Sequence, residues 1–277
     1  MRTRSLFLIA MATTASLPLF AGEASGEFTA TKHDKIKPRY AVAYETRDQR
    51  DAHKRVIEVV LTEAPIDIAA AVTELDPHTQ IINMDALRDH NYILLWVRPN
   101  NDVSMNATYS STMTQFVDMT PGSLQANIDV LSANRVSGRL ATTKAVKTMG
   151  DETYSIDVKF ATDISHPPAG TKLTAGGGEP GKALKSLLTA MSKKNYAAIK
   201  AGVTPDRAES YSDVDDAVQT LGIFLPKNGK ITGGELRGDT AIVEIEADSM
   251  LTLVKMVKSG ATWQFDRATR AGFIDSK

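Results

Sequence analysis

The sequence predicts a β-rich chain in two parts, an antiparallel β-sandwich followed by an α+β layer in which helices pack on a curved antiparallel sheet. Three observations predict it. Between residues 37 and 165, short segments alternate β-branched or aromatic residues with polar ones. Residues 166–181 then turn almost wholly to glycine, proline and small polar residues. Beyond them the apolar period first becomes helical and then returns to alternation.

At the amino terminus, Arg2 and Arg4 precede an apolar run over 6–15, followed by small residues. That is the order of a secretory signal peptide, assigned to residues 1–24 with cleavage after Ala21 or Ala24. Pro18 and Glu23 interrupt the run too early for a membrane-spanning helix, which needs about 18–20 apolar residues. The expected location is therefore the periplasm or the exterior of a bacterial cell, with the chain soluble after cleavage.

Composition narrows the chemistry. Cysteine is absent, which excludes disulfides, thiolate nucleophiles, thiolate metal sites and a lipidated N-terminal cysteine. Formal charge is −1, moving to about −2 once the signal is removed, which argues against a nucleic-acid partner because that needs a basic stripe.

In the first domain, 37–165, strands are expected at 40–45, 55–61, 92–98, 104–110, 124–131, 136–142 and 154–160. Alternation is cleanest in Tyr154, Ile156, Val158 and Phe160, so one face is buried and the other wet. Turns fall at Pro99-Asn100-Asn101-Asp102, Pro121-Gly122 and Gly150-Asp151. One helix is expected over 66–75, ended by Pro77. His78 and His90 lie between that helix and the next strand; without a third ligand at a recognisable spacing they read as solvated loop residues rather than a metal site. The charged run Arg47 to Arg55 reads as a hairpin end, and Asn106-Ala107-Thr108 as an incidental glycosylation sequon.

Residues 166–181 are expected to be a flexible linker. They contain Gly176 and Lys182 at the spacing of a phosphate-binding loop, but Ala183 stands where a magnesium-binding hydroxyl is needed. In the second domain, 182–277, Leu184, Leu187, Leu188 and Met191 form one helical stripe. Thr204-Pro205 opens a further helix and Ser212 with Asp215 another, whose acidic first turn answers the helix dipole rather than binding calcium. Asn228-Gly229, Gly238-Asp239 and Ser259-Gly260 then separate strands at 231–236, 241–247, 251–257 and about 263–265.

The helical start 183–191, the step Asn195-Tyr196-Ala197-Ala198-Ile199-Lys200, the capped third helix and the terminal Ser259-Gly260-Ala261-Thr262-Trp263 resemble the nuclear transport factor two-like superfamily of α+β cones, which includes ketosteroid isomerase. The resemblance covers about the last hundred residues and is nearest to short exported bacterial members. It implies a cone holding a small-molecule pocket or a protein-binding face, with homodimers pairing through the sheet. No catalytic residue carries over. Trp263, Phe265 and Met256 are the candidate ligand-binding residues, although Met256, like Met250, reads more readily as core filler than as a ligand platform. No serine elbow, zinc-binding helix or cofactor loop is present. The expected function is therefore a non-catalytic envelope protein binding a small hydrophobic ligand or a protein partner. The alternative is a small-molecule isomerase or hydrolase using a buried acid in the C-terminal cone.

Overall fold

The computed structural model describes residues 22–118, 122–148 and 151–274; the expected signal segment lies outside them except for its last three residues. The first part of the chain contributes β1 (Gly22–Ala30), β2 (Tyr40–Asp48), β3 (Asp51–Thr62), β4 (Tyr92–Val97), β5 (Val103–Tyr109), β6 (Thr114–Val117), β7 (Leu124–Leu131), β8 (Arg135–Thr142), β9 (Val146–Lys147) and β10 (Thr153–Ser165). Every strand read from alternation is present.

These strands form one continuous sheet in the order β6-β5-β4-β3-β2-β1-β10-β8-β7, with β9 on β10, instead of the two facing sheets of the expected sandwich. The join is made at one place by three strands: β1 pairs along β10 and meets β2, and the end of β10 pairs directly with β2 in parallel, Ile164 opposite Ala43. The joined sheet curls until its parts bury one another. Phe28 on β1 stacks on Tyr154 of β10 at 5.5 Å and meets Phe116 of the terminal strand β6 at 5.6 Å. Aromatic pairs at such distances add about 1 kcal/mol each beyond the area they bury.

Strands β2–β4 are buried on both faces. Ala43, Val59, Leu61, Ile93 and Leu95 face the inside of the curl. Val42, Tyr44, Val60 and Leu94 face outward beneath Ile66, Ile68, Ile81 and Leu87. That double burial is why 92–97 reads as an almost unbroken apolar run. The cover is formed by 66–75 with α1 (Pro77–Ile82) and α2 (Asp85–Arg88). The helix expected over 66–75 is reduced to a single 3-10 turn at Ala71–Thr73. Ile66 and Ile68 are buried while Asp67 and Ala69, each following one of them, are exposed, a period of two that an extended segment satisfies and a helix does not. Pro77 opens α1 instead of closing a helix, because its fixed φ suits the first helical position and Asp76 caps the Thr79 amide at 3.1 Å.

The second part contributes β11 (Thr171–Leu173), α3 (Gly178–Ser192), α4 (Tyr196–Gly202), α5 (Pro205–Ser210), α6 (Val214–Phe224), β12 (Lys230–Arg237), β13 (Thr240–Ala247), β14 (Met250–Ser259) and β15 (Thr262–Phe273). Its sheet runs β11-β12-β13-β14-β15, antiparallel throughout. Leu184, Leu187 and Met191 of α3 are buried against Ala241, Val243 and Ile245, contributing about 2 kcal/mol each. Asn195 caps α4 through the Ala198 amide. On α6 the cap is Asp213, which accepts from the amides of Asp215 and Asp216, while Asp216 reaches back to Ser212. The capping arrangement therefore sits one residue beyond the expected Ser212, and two of the three aspartates are spent on it.

Part of the expected linker is regular structure. Thr171–Leu173 pairs with β12, and the glycine run turns the chain into α3 with positive φ at Gly176, Gly177 and Gly178. Gly181 packs so closely that an added Cβ would lie 2.0 Å from the Gly176 carbonyl. Glycine density here permits tight approach rather than slack. The strand before it is an antiparallel edge and Lys182 pairs with Glu179 on an exposed helix face, so this is no phosphate loop.

Candidate binding cleft between the two sheets

The five-stranded sheet has helices on one face only. Its other face meets the β2–β3 hairpin and the segment before α1. Ala52 and Leu75 from the first part form a buried cluster with Leu251 and Leu253 from β14. Around it Arg47 pairs with Glu244, His53 Nε2 lies 3.6 Å from Glu246, and Glu74 takes both Lys255 at 3.6 Å and Arg267 at 3.4 Å. Where β15 crosses the hairpin, Gly272 adopts a φ of 137°, and an added Cβ would lie 3.2 Å from the Gln49 backbone, so glycine alone fits without strain.

Beside this contact opens a cleft of about 630 Å³, bounded by residues of β2, β3, α1, β12, β13 and β15. That volume lies within the range of small-molecule sites. Two groups of polar side chains line it.

The first group centres on Glu58, which is fully buried. Tyr44, Glu58 and Trp96 are register partners across β2, β3 and β4, so the pleat itself places them in one row. Trp96 Nε1 donates to Glu58 Oε2 at 3.0 Å, and His78 Nδ1 lies 2.7 Å from Oε1. An ionised carboxylate only accepts, so Nδ1 carries the hydrogen and Nε2 is left for other partners. Burial works against charge on His78, but its hydrogen bond to Glu58 and the charges of Glu58 and Asp76 outweigh that and raise its pKa above 6.5. The Tyr44 hydroxyl is buried beside Glu58; burial first, and then the Glu58 carboxylate, push its pKa far up, keeping it protonated.

The second group is cationic. Arg47 and Arg55 stand directly opposite each other on β2 and β3, an arrangement that costs stability because like charges face each other. Burial and the Arg55 charge lower the pKa of Arg47, and Glu244 offsets part of this. Arg237 donates to Glu235 at 2.6 Å. Burial tends to raise the Glu235 pKa, but the Arg237 bond and charge, with Arg55 further away, bring it below the usual carboxylate value.

The structure places the sequence-predicted pocket residues elsewhere. Met256 and Phe265 are fully buried between the five-stranded sheet and its helices, and Trp263 packs on the edge of the same cluster. They come together in one apolar cluster, and none of them lines the cleft. The buried charged residues among those described are Asp48 and Glu58, both in the ten-stranded sheet, so the C-terminal core offers no buried acid. His78 is half-buried and engaged, not solvated; His90 is exposed, as expected of a loop residue. Glu58 was the missed residue. Its sequence signal is a lone carboxylate in the run Val56-Ile57-Glu58-Val59-Val60-Leu61.

Among the described residues no cluster of three or more potential ligands could hold a metal ion, and no helix is long and apolar enough to cross a membrane. No family model matches the chain, and neither a curated protein nor a solved structure matches it.

Proposed function

We propose that the chain is an exported, non-catalytic protein of the bacterial envelope, periplasmic or secreted, that binds a small molecule in the cleft between its two sheets. The observation that carries this reading is the cleft itself: it is large enough for an organic molecule, and its walls combine apolar side chains such as Leu253 and Ile242 with polar groups already oriented by neighbours. The leader-like segment supports export, and cleavage after Ala21 suits the fold better than cleavage after Ala24, since loss of residues 22–24 would remove Glu23 and Ala24 from their pairing with β10. We further assign the second part to the nuclear transport factor two-like superfamily, on the strength of helices followed by an antiparallel meander. The helix-free face of that sheet is partly taken by Ala52 and Leu75, which leaves a homodimer only the remaining surface.

The test is recovery of the native protein from a bacterial envelope fraction, followed by intact and native mass spectrometry. A chain beginning at Gly22 that carries a bound small molecule is the expected result. A cytosolic protein retaining residues 1–21, or an envelope protein with no bound molecule and no partner on pull-down, would overturn it.

One observation favours a second reading. The Glu58–His78 pair has the geometry of a histidine oriented by a carboxylate, the arrangement that prepares Nε2 as a general base. An isomerase or hydrolase built on this chain would use that pair rather than an acid in the C-terminal core. Turnover that disappears in His78→Gln, with binding retained, would establish it.

A further inference from the structure

Of the six carboxylates lining the cleft, all but Glu45 are held closely by the protein. Glu58 holds His78 and Trp96, Glu74 holds Lys255 and Arg267, and Asp76 caps Thr79. Glu235 holds Arg237, Glu244 holds Arg47, and Glu45 Oε1 lies 3.7 Å from Arg55 Nε. The cations are not matched in the same way. The Arg55 side chain makes no hydrogen bond among the described residues, and that loose contact with Glu45 is its one ion pair there. Lys172, which also lines the cleft and is the register partner of Glu235, has no ion pair or hydrogen bond among the described side chains. Arg47, facing Arg55 across the strands, cannot relieve the repulsion between them, because its own guanidinium is committed to Glu244 and the Ala52 carbonyl.

A cleft whose acceptors are used and whose donors are spare favours an acceptor-bearing ligand. We infer that the cleft binds a small organic anion, with its carboxylate or phosphate group on Arg55 and Lys172 and its apolar part against the wall formed by Ile242 and Leu253. The inference deepens the proposed function and rests on the same cleft. An anion placed there adds charge-assisted hydrogen bonds to Arg55 and offsets the Arg47–Arg55 repulsion that the unliganded hairpin sustains. Neither neutral nor cationic molecules of the same shape gain these terms.

The test uses benzoate, its neutral analogue benzamide, the cation benzylamine and inorganic phosphate, titrated calorimetrically into the purified chain. Benzoate is expected to bind at least about tenfold more tightly than benzamide, the difference a single charge-assisted hydrogen bond supplies. Its affinity should fall by about tenfold in Arg55→Gln, recover in part in Arg55→Lys, and weaken as salt rises from about 50 to about 500 mM. Because the Arg55 side chain is 50% exposed, these variants should fold, which circular dichroism checks. Benzamide or benzylamine binding as well as benzoate would overturn the anion while leaving the cleft as a binding site. Phosphate binding as tightly as benzoate would overturn the organic part of the assignment. Binding by none of the probes, or an Arg55→Gln variant indistinguishable from the parent, would overturn the inference altogether; whether the native protein carries a bound molecule decides the broader reading separately.

Discussion

Glu58 and His78 are joined at 2.7 Å although they lie on different elements, the carboxylate in the middle of β3 and the imidazole on the first turn of α1. The contact ties the cover segment to the sheet and closes one end of the cleft. A fully buried carboxylate is tolerated here because His78 and Trp96 both donate to it.

Glu58→Ala is expected to destabilise the fold by about 3 kcal/mol, since it leaves the half-buried Trp96 and His78 donors without their acceptor. The pH dependence has a definite sign. His78 has a raised pKa in the folded state, so its contribution is complete below the ordinary histidine value of 6.5 and fades as pH rises through the higher folded value. Urea unfolding of the parent and His78→Asn should differ by about 2 kcal/mol near pH 6, with the gap narrowing toward about pH 9. A gap that widened with pH would contradict the pairing.

The two sheets share the cluster of Ala52, Leu75, Leu251 and Leu253. Truncating a fully buried leucine costs its transfer energy and leaves a cavity, so Leu251→Ala should lose about 3 kcal/mol. Because the cluster couples the sheets, thermal unfolding of the parent should give coincident transitions by Trp fluorescence and far-ultraviolet circular dichroism. The variant should separate them. Separate transitions already present in the parent would show that the contact carries little energy.

Gly26 lies in β1 with a φ of 102°, and an added Cβ would stand 2.0 Å from the Asp157 carbonyl of β10. Gly26→Ala should therefore cost at least about 2 kcal/mol, combining left-handed strain with a backbone clash. Gly238→Ala is the matched control: its φ is 60°, nothing lies within 4 Å, and only about 1 kcal/mol of strain is expected. Chemical denaturation midpoints of the two variants, compared with the parent, check the difference. Equal losses would mean that β1 is not held against β10 as described.

Strand existence was legible wherever one face is buried and the other wet. Tyr154, Ile156, Val158 and Phe160 alternate in the sequence, and all four are buried in β10. Helix capping was nearly legible: acidic residues at the start of α6 were read as answering the helix dipole, but the cap moved from Ser212 to Asp213 because its carboxylate reaches two amides at once. β1 was missed because its start falls where a signal peptide ends and its alternation is broken at Gly26. Its place in the sheet depends on β10, more than a hundred residues away.

The candidate site was less legible, because its parts are local to nothing. Tyr44, Glu58 and Trp96 come together only through strand register, and Arg55 shares a cleft with Lys172 and Glu235 only where the second sheet docks. The sequence by itself determined the alternation that makes strands, the turns between them, the helical stripe of α3 and the absence of thiol chemistry, since each depends on neighbours within a few residues. Only the tertiary structure decided that the strands close into a single curled sheet, that Met256 and Phe265 fill a core, and that the open space lies between the sheets. Those outcomes follow from which apolar faces find each other across long separations, a choice that local periodicity leaves open.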